Sequence, residues 1–351
     1  MAFGYYTPVT IDHTKCGASD SSNFPVLFNT VNARFKTVAN GGHVQNSSGF
    51  DIRPYSDSGL TTALSFELER YNASTGEVVM WIKESTVSHT SDTVYYLGYG
   101  DSGISTDGSS GATWSNSFLV VYHLKDGTTL NTNDSVAGSI NLINNNSVTA
   151  AAGQIDGGAG FLSASSQYLE NGSLTGATGA VTVSGWVNAT SFPNAYNAVT
   201  GYNRNTPTVQ AMIWVKSTGK LTMFVQATGS VGFDGTGTTT LSTSTWYYLV
   251  LTYNVTSGMV GYINAAVEKT VSPNGNLITS AVPAISVGRD SVTAGRFWNG
   301  SLDEARVATV ARSADWVTTE YNNQNSPSTF YTLGTEVPLA TVNAAAFFRI
   351  F

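Results

Sequence analysis

A chain of 351 residues has room for two domains of ordinary size, and with 41% hydrophobic residues each can bury a core of its own. Only 11% of the residues are charged, the net charge is -7 and no Lys/Arg cluster occurs, which excludes nucleic acid as a partner bound through its phosphates. No apolar run reaches the ~18 residues of a membrane-spanning helix, and the single cysteine, Cys16, excludes an internal disulfide.

The first residues, MAFGYYTPVTID, enter a strand pattern at once. They carry no basic stretch followed by an apolar run, so no classical signal peptide is predicted. Leu64, Phe66 and Leu68 alternate with Ser65, Glu67 and Glu69, the period of a half-buried strand whose carboxylates face solvent or the neighbouring domain. Val78 to Lys83 and Thr93 to Tyr99 continue the style, and Asn72 to Gly76 reads as a hairpin turn. The segment from Gly100 to Gly111 is Gly-, Ser- and Asp-rich and is read as a domain boundary. A second series of short strands follows: Phe118 to Leu124, Val181 to Val187, Val209 to Val215, Leu221 to Gln226, Trp246 to Tyr253 and Val260 to Asn264. One helix is predicted near the end, capped by Ser313, with Asp315 in its first turn, and running to about Tyr321.

These elements predict an all-β protein of two β-sandwich domains with one short C-terminal helix. The domains are residues 1–114 and 115–336, followed by an apolar tail, 337–351. The tail ends in Phe347, Phe348, Ile350 and Phe351, which either fold back on their own domain or dock into a neighbouring chain, a second copy or another virion protein.

Ordered landmarks in the second half carry a resemblance. Val121-Tyr122-His123-Leu124 with Asn133-Asp134-Ser135, then Gly160-Phe161 and Gln167-Tyr168-Leu169, open the series. Val181 to Val187, Trp246 to Tyr253, Gly261 to Asn264 and Phe297 to Val307 complete it. In this order they resemble the laminin-G-like jelly rolls of the concanavalin A-like superfamily. Residues 1 to about 114 are similar to a domain of unassigned function found before such jelly rolls, including on phage structural proteins. That second resemblance rests on Asn23 to Leu27, Gly49 to Ile52, Glu67 to Tyr71, Gly76 to Lys83 and Tyr95 to Gly100.

The resemblance implies a binding protein at a surface: a virion fibre, decoration or tail component, or alternatively a secreted lectin, with a glycan or protein as ligand; a glycanase or polysaccharide lyase is the enzymatic alternative. It implies calcium as the one candidate cofactor, with Asp134 and Asp303 as nominated ligands. Tyr196, Tyr202, Asn203, Arg204 and Trp298 fall in predicted loops or strand ends and are the candidate ligand contacts, since sugars stack on rings and bind amide and charged groups.

Catalysis finds no constellation. Concanavalin A-like glycanases carry E-x-D-x-x-E on one strand, and that run is absent. Glu67 and Glu69 lie about 6.5–7 Å apart at Cα, a spacing glycosidases can use, but on a face predicted to be a solvated or inter-domain polar one. Asp303 and Glu304 are adjacent and point to opposite sides, with Arg306 on the side of Glu304 as an ion-pair partner. The four histidines are scattered with no zinc spacing, and His123 reads as a polar partner inside the sandwich.

Overall fold

The computed structural model describes residues 3–125, 129–138, 140–172, 174, 179–204, 209–228, 233–272, 275–278 and 283–339, with backbone alone at 203–204, 209, 233–234 and 283. Two compact units divide it: the residues up to Thr113 with those from Ser326 on, and Trp114–Asn325. Both are built of antiparallel sheets, so the all-β class holds.

The first unit begins with β1 (Tyr5–Ile11), β2 (Ser21–Val31), β3 (Arg53–Tyr55), β4 (Phe66–Asn72), β5 (Glu77–Val87) and β6 (Thr93–Tyr99). The predicted hairpin joins β4 to β5. Asn72 Oδ1 accepts from the Ser74 and Thr75 amides, and Gly76 closes the turn at φ +73°, where a Cβ would lie 2.1 Å from the Asn32 carbonyl.

The second unit holds β7 (Phe118–Tyr122), β8 (Ile143–Asn145), β9 (Thr149–Ala152), β10 (Gly157–Phe161), β11 (Tyr168–Asn171), β12 (Ala180–Ala189), β13 (Tyr196–Arg204), β14 (Val209–Lys216) and β15 (Lys220–Val225). It continues with β16 (Phe233–Thr240), β17 (Trp246–Asn254), β18 (Gly258–Ile263), β19 (Ala266–Val271), β20 (Pro283–Val287), β21 (Gly300–Ala308) and α1 (Ala314–Asn325). One sheet has the order β19-β18-β17-β12-β21-β10-β9, with β7 also on β21; the other runs β16-β15-β14-β13-β20-β11-β8. Alternate residues of both sheets meet in one core, Val183, Leu251 and Leu302 from the first against Ile213, Met223 and Ile285 from the second. Ser313 caps α1 as predicted, its Oγ accepting from the Trp316 amide at 3.1 Å, but the helix runs past Tyr321 to Asn325.

After α1 the chain returns to the first unit through α2 (Pro327–Phe330), β22 (Tyr331–Leu333) and β23 (Val337–Pro338). Both strands pair with β1, Val9 opposite Leu333 and Tyr6 opposite Val337, and complete the sheet β22-β1-β6-β3; β2, β5 and β4 form the other. Tyr331 stacks on Phe28 of β2 at 5.2 Å, and its hydroxyl donates to the Asn29 carbonyl at 2.7 Å. Residues 326–336, expected in the jelly roll, therefore belong to the first unit. Backbone pairing across more than 300 residues leaves no local signal in the sequence. Phe347, Phe348, Ile350 and Phe351 lie outside the described residues.

Candidate functional site on the outer face of the second sheet

The jelly roll's second sheet turns Ala211, Ile213 and Val215 of β14 into the core. By the two-residue alternation of a strand, Gln210, Met212, Trp214 and Lys216 take its other face. Thr222 and Phe224 of β15 join them, opposite Trp214 and Met212, and β13 brings Tyr196 opposite Lys216 and Ala198 opposite Trp214. Ala198, Met212 and Trp214 form a small apolar cluster there, bordered by Tyr196, Phe224 and Val292. Tyr196 and Phe224 each meet the Trp214 ring at 5.6 Å between centroids.

The connection between β20 and β21 adds charge. Asp290 is buried, and its Oδ1 accepts from the amides of Val292 and Thr293 at 2.9 and 3.1 Å. Its Oδ2 holds Arg296 Nη1 at 2.9 Å, so the guanidinium is pinned by one edge. Arg296 then lies 4.5 Å from the ring centroid of Tyr196 and 5.2 Å from that of Trp214. Lys216 Nζ lies 5.5 Å from the same Tyr196 ring. Further along the sheet, Arg289 sits 3.9 Å over Tyr168 and pairs with Glu170 at 2.7 Å. Among the described residues Trp214 Nε1 is buried without an acceptor. Half-buried rings, an oriented guanidinium, an ammonium and an unspent N–H make a face suited to a polar ligand with some apolar surface.

The residues nominated from sequence divide sharply. Tyr196 belongs to this face, though cations flank its ring. Tyr202 and Trp298 do not reach any surface: both are core residues, 1% and 0% exposed, so their assignment as ligand contacts is corrected. Trp298 precedes β21 and drops into the sandwich, a direction that a loop-like sequence conceals. Asn203 and Arg204 continue β13, and their side chains lie outside the described residues. Trp214, Lys216, Asp290 and Arg296 were missed. Alternation along β14 signalled which side Trp214 takes, but the Asp290–Arg296 pairing is made by a turn with no distinctive pattern.

The nominated calcium ligands do not fit that ion. Asp134 is buried and accepts from the amides of Val121, Val136 and Ile140 at 3.0–3.2 Å, and Asp303 Oδ2 accepts from Gln154 and Ile155 at 2.9 Å. Both carboxylates tie loops to strands, whereas calcium needs several oxygens converging on it. In the first unit, Asp12, His13 and Asp92 bring metal-capable atoms within 4.8 Å of one another, a grouping that the scattered histidines did not foretell. Glu69, beside a register shift between Leu68 and Arg70, is buried, and its carboxylate accepts from Trp81 Nε1 at 2.6 Å.

The opposite outer face of the jelly roll is closed. His123 Nδ1 lies 2.7 Å from Glu304 Oε1, and Glu304 Oε2 accepts from Arg306 Nε at 3.0 Å. Arg306 Nη1 reaches Glu320 of α1 at 3.0 Å, and Glu320 also accepts from the Tyr248 hydroxyl at 2.8 Å. Burial pushes the Glu304 carboxyl up, but the charges of His123 and Arg306 and their hydrogen bonds outweigh it and hold it below the ordinary range. The ion pair and the polar role of His123 expected from sequence are both present.

Residues 161–318 match the model of the Concanavalin A-like lectin/glucanases superfamily. Among solved structures, the chain is similar to domain 4 of an extracellular GH43 arabinanase from Geobacillus stearothermophilus, in complex with arabinotriose. That match has 15% identity, covers 57% of this chain and 96% of that one, and has a TM-score of 0.47. It is also similar to the binding domain of Paraclostridial Mosquitocidal Protein 1 (14% identity, 59% and 52% covered, TM-score 0.47). A third similarity is to the binding domain of Botulinum Neurotoxin DC in complex with SialylT (12%, 60% and 52%, TM-score 0.46). The matched part spans about half of each toxin binding domain. No curated protein sequence matches the chain. The segment from Phe161 to Thr318 is a concanavalin A-like jelly-roll domain.

Proposed function

We propose that the protein binds glycans through the outer face of the jelly roll's second sheet and is not an enzyme. The observation that carries this reading is Arg296, pinned by the buried Asp290 and held over Tyr196 and Trp214. A fixed fork of donors, with the half-buried ring of Phe224 on the same face, recognises sugar hydroxyls and their apolar faces with little ordering cost. Binding is favoured over hydrolysis because the face's described carboxylates, Glu170 and Asp290, are each engaged by an arginine. The test is a glycan array with the full chain, run with calcium and with a chelator. Wild-type protein is expected to bind a defined glycan class and Phe224→Ala to lose at least about tenfold in affinity, comparable to removing one stacked ring. An array silent in both conditions overturns the reading, and release of reducing ends from a bound polysaccharide overturns the non-enzymatic part.

The setting we propose is a virion surface, with an extracellular lectin as the alternative. Its support is the likeness of the first unit's sequence to domains on phage structural proteins and the apolar residues 340–351. Truncation after Leu339 leaves β23 in place and removes only those residues. If the tail docks in a neighbour, this chain loses its self-association or its incorporation into particles; unchanged assembly removes the docking idea.

A further inference from the structure

We infer that the glycans taken by this face carry a carboxylate, as uronic and sialic acids do. The inference rests on the glycan reading above and concerns which class of sugar is selected. Two cations, Arg296 and Lys216, flank the one ring of Tyr196, at 4.5 and 5.5 Å. Only one of them has a carboxylate: Asp290 holds Arg296 by Nη1 alone. Among the described residues Lys216 has no acidic partner. This patch therefore keeps excess positive charge, in a chain whose net charge is -7.

The arrangement is built rather than incidental. Asp290 has no exposed side-chain surface and is itself held by two backbone amides, so the guanidinium it orients cannot swing freely. Its Nε and Nη2 edge stays uncommitted, the planar fork that matches a carboxylate with two parallel hydrogen bonds. The Trp214 indole beneath it adds a buried N–H with no acceptor among the described residues. A neutral sugar would face these cations with hydroxyls alone and leave their charge uncompensated. An acidic sugar supplies the missing anion. Cations on the Tyr196 ring also take up the surface on which a neutral sugar would stack, which shifts recognition from stacking toward charge.

The experiment compares matched pairs: oligogalacturonate with its methyl ester, and sialylated lactose with lactose. The full-length chain is used, and affinity is measured by calorimetry. Wild-type protein is expected to prefer the acidic member of at least one pair by about tenfold or more, the range of a charge-assisted hydrogen bond. Arg296→Gln and Lys216→Gln should each reduce the acid-to-neutral ratio, and Lys216→Gln should do so without lowering the melting temperature appreciably. Lys216→Gln serves as the second variant because no carboxylate depends on it. Equal affinity for acidic and neutral members, or ratios unchanged in both variants, overturns the inference and leaves glycan binding standing. Failure to bind any of the four overturns it too; the array then decides separately whether glycan binding itself survives.

Discussion

The two outer faces of the jelly roll are made of the same parts and have opposite fates. Each combines tryptophan, tyrosine, arginine and carboxylate. On the first sheet, α1 lies over them: Trp186, Tyr248 and Val317 pack together, and Glu304, Arg306 and Glu320 are buried and mutually satisfied. On the second sheet a turn only partly covers them, so Arg296 and Lys216 keep donors in reach of solvent. Coverage, more than composition, separates a structural network from a recognition surface. A buried charge must find its partners inside the fold, and an uncovered one can keep them for a ligand.

The largest expected effect comes from breaking the closed face. Glu304→Gln removes the anion shared by His123 and Arg306 and should cost about 3–5 kcal/mol in urea unfolding of the full chain. The same carboxyl fixes the sign of the acid response. Its folded pKa lies below its ordinary 4.5, so its contribution is present above about pH 4.5 and is lost as pH falls through the depressed value. Acid unfolding followed from pH 6 downward should therefore start at higher pH in variants that remove Arg306.

Glu84 in the first unit tests what pairing is worth from the other side. It is 4% exposed, one of its oxygens has no hydrogen-bond partner, and burial raises its carboxyl to about 7. Because the folded pKa is raised, this group's contribution to stability is greatest below pH 4.5 and is lost as pH rises through 7. Glu84→Gln should thus stabilise the chain at pH 8, by at most about 3 kcal/mol, and leave it unchanged at pH 4. A destabilising effect at pH 8 would mean the carboxylate has a compensating role in the fold.

Smaller effects sharpen the contrast. Tyr248→Phe removes the hydroxyl that donates to Glu320 and should cost about 1.5–3 kcal/mol with glycan binding unchanged. Arg296→Gln should do the reverse, weakening binding while costing less stability than Glu304→Gln, because Asp290 keeps the Val292 and Thr293 amides as donors. If Arg296→Gln proves as destabilising as Glu304→Gln, the two faces are not different in kind.

How much of this was legible depended on distance along the chain. Glu304 and Arg306 are two residues apart on a strand, and the period of two puts them on one face whatever the rest of the fold does. The Ser313 cap and the Asn72–Gly76 turn are equally local, fixed by side chain-to-amide hydrogen bonds within three residues. The jelly roll was legible because its strand landmarks keep their order. Trp298 was misread because a tryptophan between polar residues looks like a loop contact, and only the packing of two sheets decides that it points inward.

The sequence by itself therefore determined the class of the fold, its strands and turns, and the ion pairs made across one or two residues, because steric alternation and local hydrogen bonds act within that range. Tertiary structure alone decided that β22 and β23 return to pair with β1, that Asp290 orients Arg296 over Tyr196 and Trp214, and which charged face is left open. Those outcomes follow from which backbone groups and charges find partners when distant segments pack, and no window of neighbouring residues contains that information.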